Sequence, residues 1–359
     1  MQNNNMRYFS LFSGIGGFEV GLETARVSLM AIGKKHIKPF VCAGYSEIDP
    51  YAISIYKRHF PKHKNYGDIT KIKEKELPDF DILVGGFPCQ AFSIAGQRKG
   101  FQDTRGTLFF DIARILVAKR PRMLILENVK GLLSHEGGRT FKTIISTLTE
   151  LGYDLQWQVC NSKDFGVPQN RERVYIVGHL RKEPRPQVFP IGYHEEVSDG
   201  SPEAGGRQSQ AAHSHTIRGS SVKADQVFIA HNVYGGFGEK KIRRFYDHTP
   251  TIRTPKGGGH IPTVVDLKAT PASTRRGKFS KTGYVKTLDQ QCWQAIIDEA
   301  DIRRITPTEC ERLQGFPDGW TLAAGPNGKC ISDNQRYKCL GNAVTTNVIY
   351  EIAKRAFNK

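Results

Sequence analysis

Cys89 and Glu127 are the residues of this 359-residue chain whose types and surroundings best suit covalent chemistry. Cys89 stands in Gly85-Gly86-Phe87-Pro88-Cys89-Gln90-Ala91-Phe92-Ser93, between an apolar run and a glycine-containing loop. A thiol becomes a strong nucleophile once ionised, and from an ordinary pKa of about 8.5 that requires partial exposure near positive charge. Thirty-eight positions on, Met123-Leu124-Ile125-Leu126 ends in Glu127-Asn128-Val129, so a carboxyl group emerges from the end of a second predicted strand. A thiol and a carboxyl at two strand ends suit nucleophilic addition assisted by a proton donor. Taken singly, each residue is ordinary: free cysteines are among the most buried residue types, and a glutamate after a strand is commonly a solvated turn residue.

The elements that must position them are legible as short apolar segments alternating with helical patterns. Strands are predicted at Tyr8–Phe12, Phe40–Tyr45, Asp81–Val84, Met123–Leu126, Leu155–Val159 and Val174–Val177, which reads as an α/β sheet. Between the third and fourth, Leu108, Ile112, Ile115 and Leu116 fall on one face of a crossover helix. Ligands of open α/β sheets collect at the carboxyl ends of the strands, where Gly14, Glu47, Cys89 and Glu127 all fall. Gly14-Ile15-Gly16-Gly17 with Gly21 is a glycine turn after a strand, without the spacing of the dinucleotide fingerprint. Glu47, after the next strand, could accept hydrogen bonds from ribose hydroxyls. It lies 33 residues beyond Gly14 rather than about 20, so an extended helix or loop is expected within Val27–Lys38.

Composition narrows the partner. Fifty-two Lys and Arg against 35 Asp and Glu leave a net charge of +17, which favours a polyanion such as nucleic acid. No stretch reaches the roughly 20 apolar residues of a membrane span, and the first residues lack a signal-peptide core, so an intracellular, cytoplasmic protein is expected. Seven cysteines with no Cys-x-x-Cys pair indicate neither a disulfide framework nor a structural metal. From Arg181 the texture turns Pro-rich and then Gly/Ser-rich, which marks a boundary. A basic, glycine-containing region follows, and apolar residues at helical spacing return from Thr345 to Phe357.

The order and wording of these blocks resemble the DNA (cytosine-5)-methyltransferases of bacterial restriction-modification systems. The resemblance runs from Phe12-Ser13-Gly14-Ile15-Gly16-Gly17 through Phe87-Pro88-Cys89-Gln90, Glu127-Asn128-Val129 and Gln169-Asn170-Arg171-Glu172-Arg173. It continues with Arg304-Ile305-Thr306-Pro307 through Gln314-Gly315-Phe316-Pro317 and ends at Gly341-Asn342-Ala343-Val344. It implies a Rossmann-like S-adenosylmethionine-dependent catalytic domain, discontinuous over 1–184 and 334–359. A smaller, irregular, β-rich target-recognition domain over 185–302 and a hinge over 303–333 complete the expected division. The implied cofactor is S-adenosylmethionine, with S-adenosylhomocysteine as product and no metal. Its implied neighbours are Phe12, Gly14, Gly16, Glu47, Ile48, Asp68, Ile69, Pro88, Leu108, Asn342 and Val344. Ile48 departs from relatives that place an aromatic residue beside the adenine.

By the same resemblance Cys89 is the nucleophile that adds to carbon 6 of cytosine, making carbon 5 electron-rich. Glu127 donates to N3, and Arg173, with Arg171, holds O2 or an adjacent phosphate. The base that removes the carbon 5 proton is most simply water. Carbon 6 is out of reach in a stacked duplex, so the cytosine must be flipped out. The expected DNA contacts are Gln90, Ser93, Arg98 and Lys99 in a loop that closes over the duplex, with Phe237, Lys240 and Thr251 in the recognition region. Phe237, in Gly235-Gly236-Phe237-Gly238, stands where a side chain fills the vacated stack. Double-stranded DNA is the implied partner, with a cognate restriction endonuclease as a functional one, and a monomer associated with the nucleoid is expected. Two alternatives stay open: a tRNA cytosine-5 methyltransferase on the same scaffold, disfavoured by the absence of a Cys-Phe-Thr element, and a nonenzymatic DNA-binding repressor.

Overall fold

The computed structural model describes residues 5–34, 37–88, 108–192 and 305–358, together with the backbone of five short strands between 227 and 304. In chain order the first elements are β1 (Met6–Leu11), α1 (Gly17–Ala31), β2 (Phe40–Ser46), α2 (Pro50–His59), β3 (Ile82–Gly86) and α3 (Leu108–Lys119). Then come β4 (Met123–Val129), α4 (Arg139–Glu150), β5 (Tyr153–Asn161), β6 (Gln169–Asn170) and β7 (Glu172–Leu180). The later strands are β8 (Val227–Asn232), β9 (Ile242–Phe245), β10 (Thr249–Pro250), β11 (Thr263–Asp266) and β12 (Asp301–Arg304). The chain closes with α5 (Pro307–Leu313), α6 (Asp333–Asn342) and α7 (Thr346–Phe357).

Six strands form one sheet in the order β2-β1-β3-β4-β7-β5. The first four are parallel to one another, and β7 runs antiparallel between β4 and β5. Strand residues alternate between two cores, as the two-residue period of a pleated strand requires. Tyr8, Ile82, Val84, Ile125, Tyr175 and Val177 face a cluster that includes Phe18, Leu22, Val348, Ile349 and Ile352 of α1 and α7. Phe9, Leu11, Leu83, Leu124, Leu126, Val174 and Ile176 face a second cluster with Ile112, Ile115 and Leu116 of α3 and Ile144 and Leu148 of α4. The sheet is thus covered on both faces, which is why its strands read as near-continuous apolar runs. Helices α1 and α7 approach closely because Gly21 leaves room: a Cβ there would lie 2.6 Å from Cβ of Ile349.

Two expected boundaries move. The chain does not leave the sheet domain at 184, since Val188, Phe189 and Ile191 are buried in the first cluster. The edge strand β5 captures this segment through Gln156, which accepts from Val188 N at 2.9 Å, and Gln158, which accepts from Ile191 N at 2.9 Å. The segment 303–333, expected as a hinge and linking motif, also contributes to a core. Ile305, Cys310, Leu313, Phe316 and Trp320 form a third cluster with Ile15, Ala52 and Ile55, so the chain is back in the core from Ile305. Between Gly14 and Glu47, the 15 residues of α1 run to Ala31 and β2 begins only at Phe40. The strands between 227 and 304 build a separate four-stranded antiparallel sheet, β12-β11-β8-β9, while β10 pairs with β6. The five described cysteines are free thiols, and no helix among the described residues is long and apolar enough to cross a membrane.

Candidate active site at the carboxyl edge of the sheet

β1 stops at Leu11 because Phe12 turns into the left-handed region at φ 51°, a conformation that costs an L-residue about 1–2 kcal/mol. Gly14 and Gly16 follow with φ 55° and 93°, where glycine pays no such cost. The turn they make is pinned from three sides. Gly14 N donates to Glu47 Oε2 at 2.8 Å, Ser13 N donates to Ser46 O at 3.2 Å, and Trp320 Nε1 donates to Ile15 O at 2.8 Å. The other Glu47 oxygen accepts Ile48 N and Asp49 N, both at 2.8 Å. Three backbone N–H groups therefore hold this carboxylate, and of its roughly four lone-pair sites one is left for a ligand hydroxyl.

Around this turn the structure gathers many of the residues expected to bind a cofactor. Phe12, Ile69 and Leu108 share the second apolar cluster. Asp68 caps the short helical turn after it, accepting from the Thr70 hydroxyl at 2.8 Å and from Thr70 N at 3.0 Å. The hydroxyl, backed by the Thr70 N–H, holds the Asp68 carboxyl below the usual carboxylate range. Ile48 and Asn342 are exposed, and so is Pro88 at the end of β3. Val344 is buried over Gly17, where a Cβ would come within 2.6 Å of its Cγ1.

Farther along the same edge, Glu127 on β4 and Arg173 on β7 form an ion pair, with Oε1 and Nε 3.0 Å apart and both side chains mostly buried. Gly86 of β3 lies directly beside Glu127, and a Cβ at Gly86 would meet Glu127 Oε2 at 3.0 Å. Asn128, buried, donates to Phe87 O at 2.8 Å and so ties the chain just before Cys89 to β4. Cys89 itself, with Gln90, Ser93, Arg98, Lys99, Phe237, Lys240 and Thr251, lies outside the described residues.

Arg171, expected beside Arg173 at the reacting base, is 2% exposed, and its Nη2 donates to the carbonyls of Gly341 and Ala343, at 3.1 and 2.9 Å. Burial, with the Arg173 cation nearby, pushes its pKa down to about 9, which leaves it charged at neutral pH.

Several supporting residues carry no sequence signal. Asn65 accepts from Glu47 N at 3.3 Å and donates to Glu47 O at 3.1 Å. Arg114 of α3 donates to Ile69 O at 2.8 Å and Ile72 O at 2.6 Å, fixing the turn after Asp68. Lys338 of α6 pairs with Asp49 at 2.5 Å, beside Glu47. All are ordinary polar residues in the chain, and only their partners, 18 to 289 positions away, give them meaning.

Residues 6–358 match the model of the C-5 cytosine-specific DNA methylase family. The chain is 38% identical over 350 residues to the type II methyltransferase M1.ScrFI of Lactococcus lactis subsp. cremoris, covering 97% of this chain and 77% of that one. It is 33% identical over 355 residues to the type II methyltransferase M.HhaI of Haemophilus parahaemolyticus, covering 98% and 94%. A solved DNMT2 variant of Spodoptera frugiperda superposes with a TM-score of 0.59 at 20% identity, covering 98% of this chain and all of that one, which shows a shared fold.

Proposed function

Because the chain belongs to the C-5 cytosine-specific DNA methylase family, we propose that it methylates carbon 5 of a cytosine within a fixed site in duplex DNA, as the modification enzyme of a restriction-modification system. The observation that carries this reading is the Glu127–Arg173 pair at 3.0 Å, held at the carboxyl edge of the sheet beside Gly86 and three residues before Cys89 in the sequence.

The cofactor proposed is S-adenosylmethionine, which supplies an electrophilic methyl group on a sulfonium. The chain's own geometry fits such a ligand. Among the described residues, space is open at Gly14, where a Cβ would meet nothing within 4 Å, and the buried Ser13 hydroxyl beside it has no hydrogen-bond partner. Glu47, Asp68 and the apolar group of Phe12, Ile69 and Leu108 would hold the ribose, the amino group and the ring of the nucleoside, with Asn342 and Val344 closing the far side. The exposed Ile48 offers apolar contact in place of a stacked ring.

At the reacting base, the Cys89 thiolate adds to carbon 6 and the 5,6 double bond shifts its electrons toward carbon 5, N3 and O2. Glu127 donates a proton or hydrogen bond at N3. Arg173, already bound to Glu127, supplies a fixed cation beside the developing charge. After methylation, loss of the carbon 5 proton expels the thiolate and restores the ring. The target cytosine reaches this edge by flipping, at a cost of a few kcal/mol. The sheet of β8, β9, β11 and β12 is proposed to read the duplex.

Bisulfite sequencing of a plasmid from a host that lacks cytosine methylation and expresses this chain tests the reading. Protected cytosines in one recurring motif are expected. Complete conversion with soluble protein present would refute it and turn attention to tRNA.

A further inference from the structure

A cation as thoroughly buried as Arg171 needs a structural return, because its desolvation is unfavourable unless good acceptors replace water. Its Nη2 donates to two backbone carbonyls on either side of Asn342: Gly341 O at 3.1 Å and Ala343 O at 2.9 Å. Its own backbone N is held by Asn161 Oδ1 at 2.9 Å. The alternate residues of the same extended segment are tied elsewhere. Gln169 donates to Leu313 O at 2.7 Å and pairs through its backbone with Thr249 of β10, and Arg173 binds Glu127. A parallel tie runs from the Ser162 hydroxyl to the Thr345 hydroxyl at 2.8 Å, and on to Gln314 Oε1 at 2.8 Å.

We infer that Arg171 is a positioning residue: its guanidinium seats the Gly341–Val344 turn against the glycine turn and keeps the cofactor face aligned with the Glu127–Arg173 pair. The inference rests on reading this face as an S-adenosylmethionine site. Both bonds leave one nitrogen, Nη2, whose two N–H groups are fixed in the guanidinium plane, whereas the hydrogens of a lysine ammonium rotate at the end of a flexible stem. The turn it seats presents Asn342 to solvent and Val344 to Gly17, so a shift there moves both.

The test uses the full chain with Arg171→Lys and, separately, Ser162→Ala, which removes the neighbouring tie. S-adenosylhomocysteine binding is measured by calorimetry, binding of a mixed-sequence duplex without cofactor by anisotropy, and KM for S-adenosylmethionine and kcat on plasmid DNA by methyl transfer. Arg171→Lys is expected to weaken S-adenosylhomocysteine and raise KM about tenfold, with kcat and duplex affinity within about twofold, and Ser162→Ala to weaken S-adenosylhomocysteine about threefold. Unchanged cofactor affinity with a reduced kcat would overturn the inference and return Arg171 to the reacting base. A parallel loss of cofactor binding, duplex binding and thermal stability would overturn it in favour of a general structural role. If Arg171→Lys does not fold, Arg171→Gln takes its place in the same measurements, and wild-type cofactor affinity in that variant overturns it. Failure of the unsubstituted protein to bind S-adenosylhomocysteine is seen before any substitution, and it sinks the underlying reading of the site.

Discussion

Glu127 and Arg173 are diagonal neighbours across two antiparallel strands: Val129 stands opposite Arg173 and Tyr175 opposite Glu127, so both charged side chains lie on one face. That placement lets the arginine reach back along β4 to the carboxylate without leaving the sheet edge. It also separates the two sides of the carboxylate, since Oε1 faces the guanidinium while Oε2 approaches Gly86.

Glu127→Gln is expected to lower kcat by about 10²- to 10⁴-fold while duplex binding persists, because the amide keeps the shape and loses the acid. Single-turnover methyl transfer, set beside an anisotropy titration, checks this. A variant with wild-type turnover would remove Glu127 from the chemistry.

Glu47→Ala removes the acceptor for Gly14 N, Ile48 N and Asp49 N together. We expect KM for S-adenosylmethionine to rise by about tenfold or more with a smaller change in kcat, since the lost bonds belong to the turn and not to the reacting base. Initial rates against cofactor concentration separate the two constants, and a fall confined to kcat would contradict the assignment.

Stability should depend on pH through Glu19, which is buried in α1 and accepts from the Tyr56 hydroxyl at 3.0 Å. Burial pushes its pKa from 4.5 up to about 6, so the folded state holds the proton more tightly than the unfolded state. Its contribution is complete below pH 4.5 and is lost as pH rises through about 6. The loss amounts to about 2 kcal/mol. In Glu19→Gln that dependence should vanish, leaving the variant relatively more stable above pH 6. Urea denaturation at several pH values measures it; a stability difference that stays constant across that range would be inconsistent with this account.

Gly21→Ala should destabilise, although the same change on an exposed helix stabilises by about 1 kcal/mol. The added methyl would lie 2.6 Å from Ile349 Cβ and 2.9 Å from Thr346 O, forcing α1 and α7 apart. A loss of about 1–3 kcal/mol is expected from thermal unfolding, and a rise in Tm would show that the helices can separate freely.

Arg336→Met leaves Glu311, which has no exposed surface, without its cation; Arg336 Nη2 and Glu311 Oε1 are 3.3 Å apart. Gly319 N and Thr321 N still donate to the carboxylate, at 2.6 and 2.7 Å. A loss of about 3 kcal/mol is expected, measured by urea denaturation with an unchanged slope. A loss well under 1 kcal/mol would show that those backbone donors suffice alone.

Local pattern determined much of this protein. The alternation of β1, β3 and β4 between two cores, the crossover face of Leu108, Ile112, Ile115 and Leu116, and the arrival of Gly14, Glu47 and Glu127 at strand ends follow from side-chain period and strand polarity, which are properties of neighbouring residues. Tertiary structure alone decided the rest. It inserted β7 antiparallel between β4 and β5, docked Val188–Ile191 on the edge strand through Gln156 and Gln158, and brought Ile305–Trp320 onto α2 and the glycine turn. Arg171 and Arg173 show the reason most directly. They are two residues apart in one extended segment and equivalent as chemistry, yet one meets a carboxylate on β4 and the other two carbonyls about 170 positions away. A guanidinium binds whichever acceptors the folded chain brings to it, and that is set by long-range packing, which local spacing does not encode.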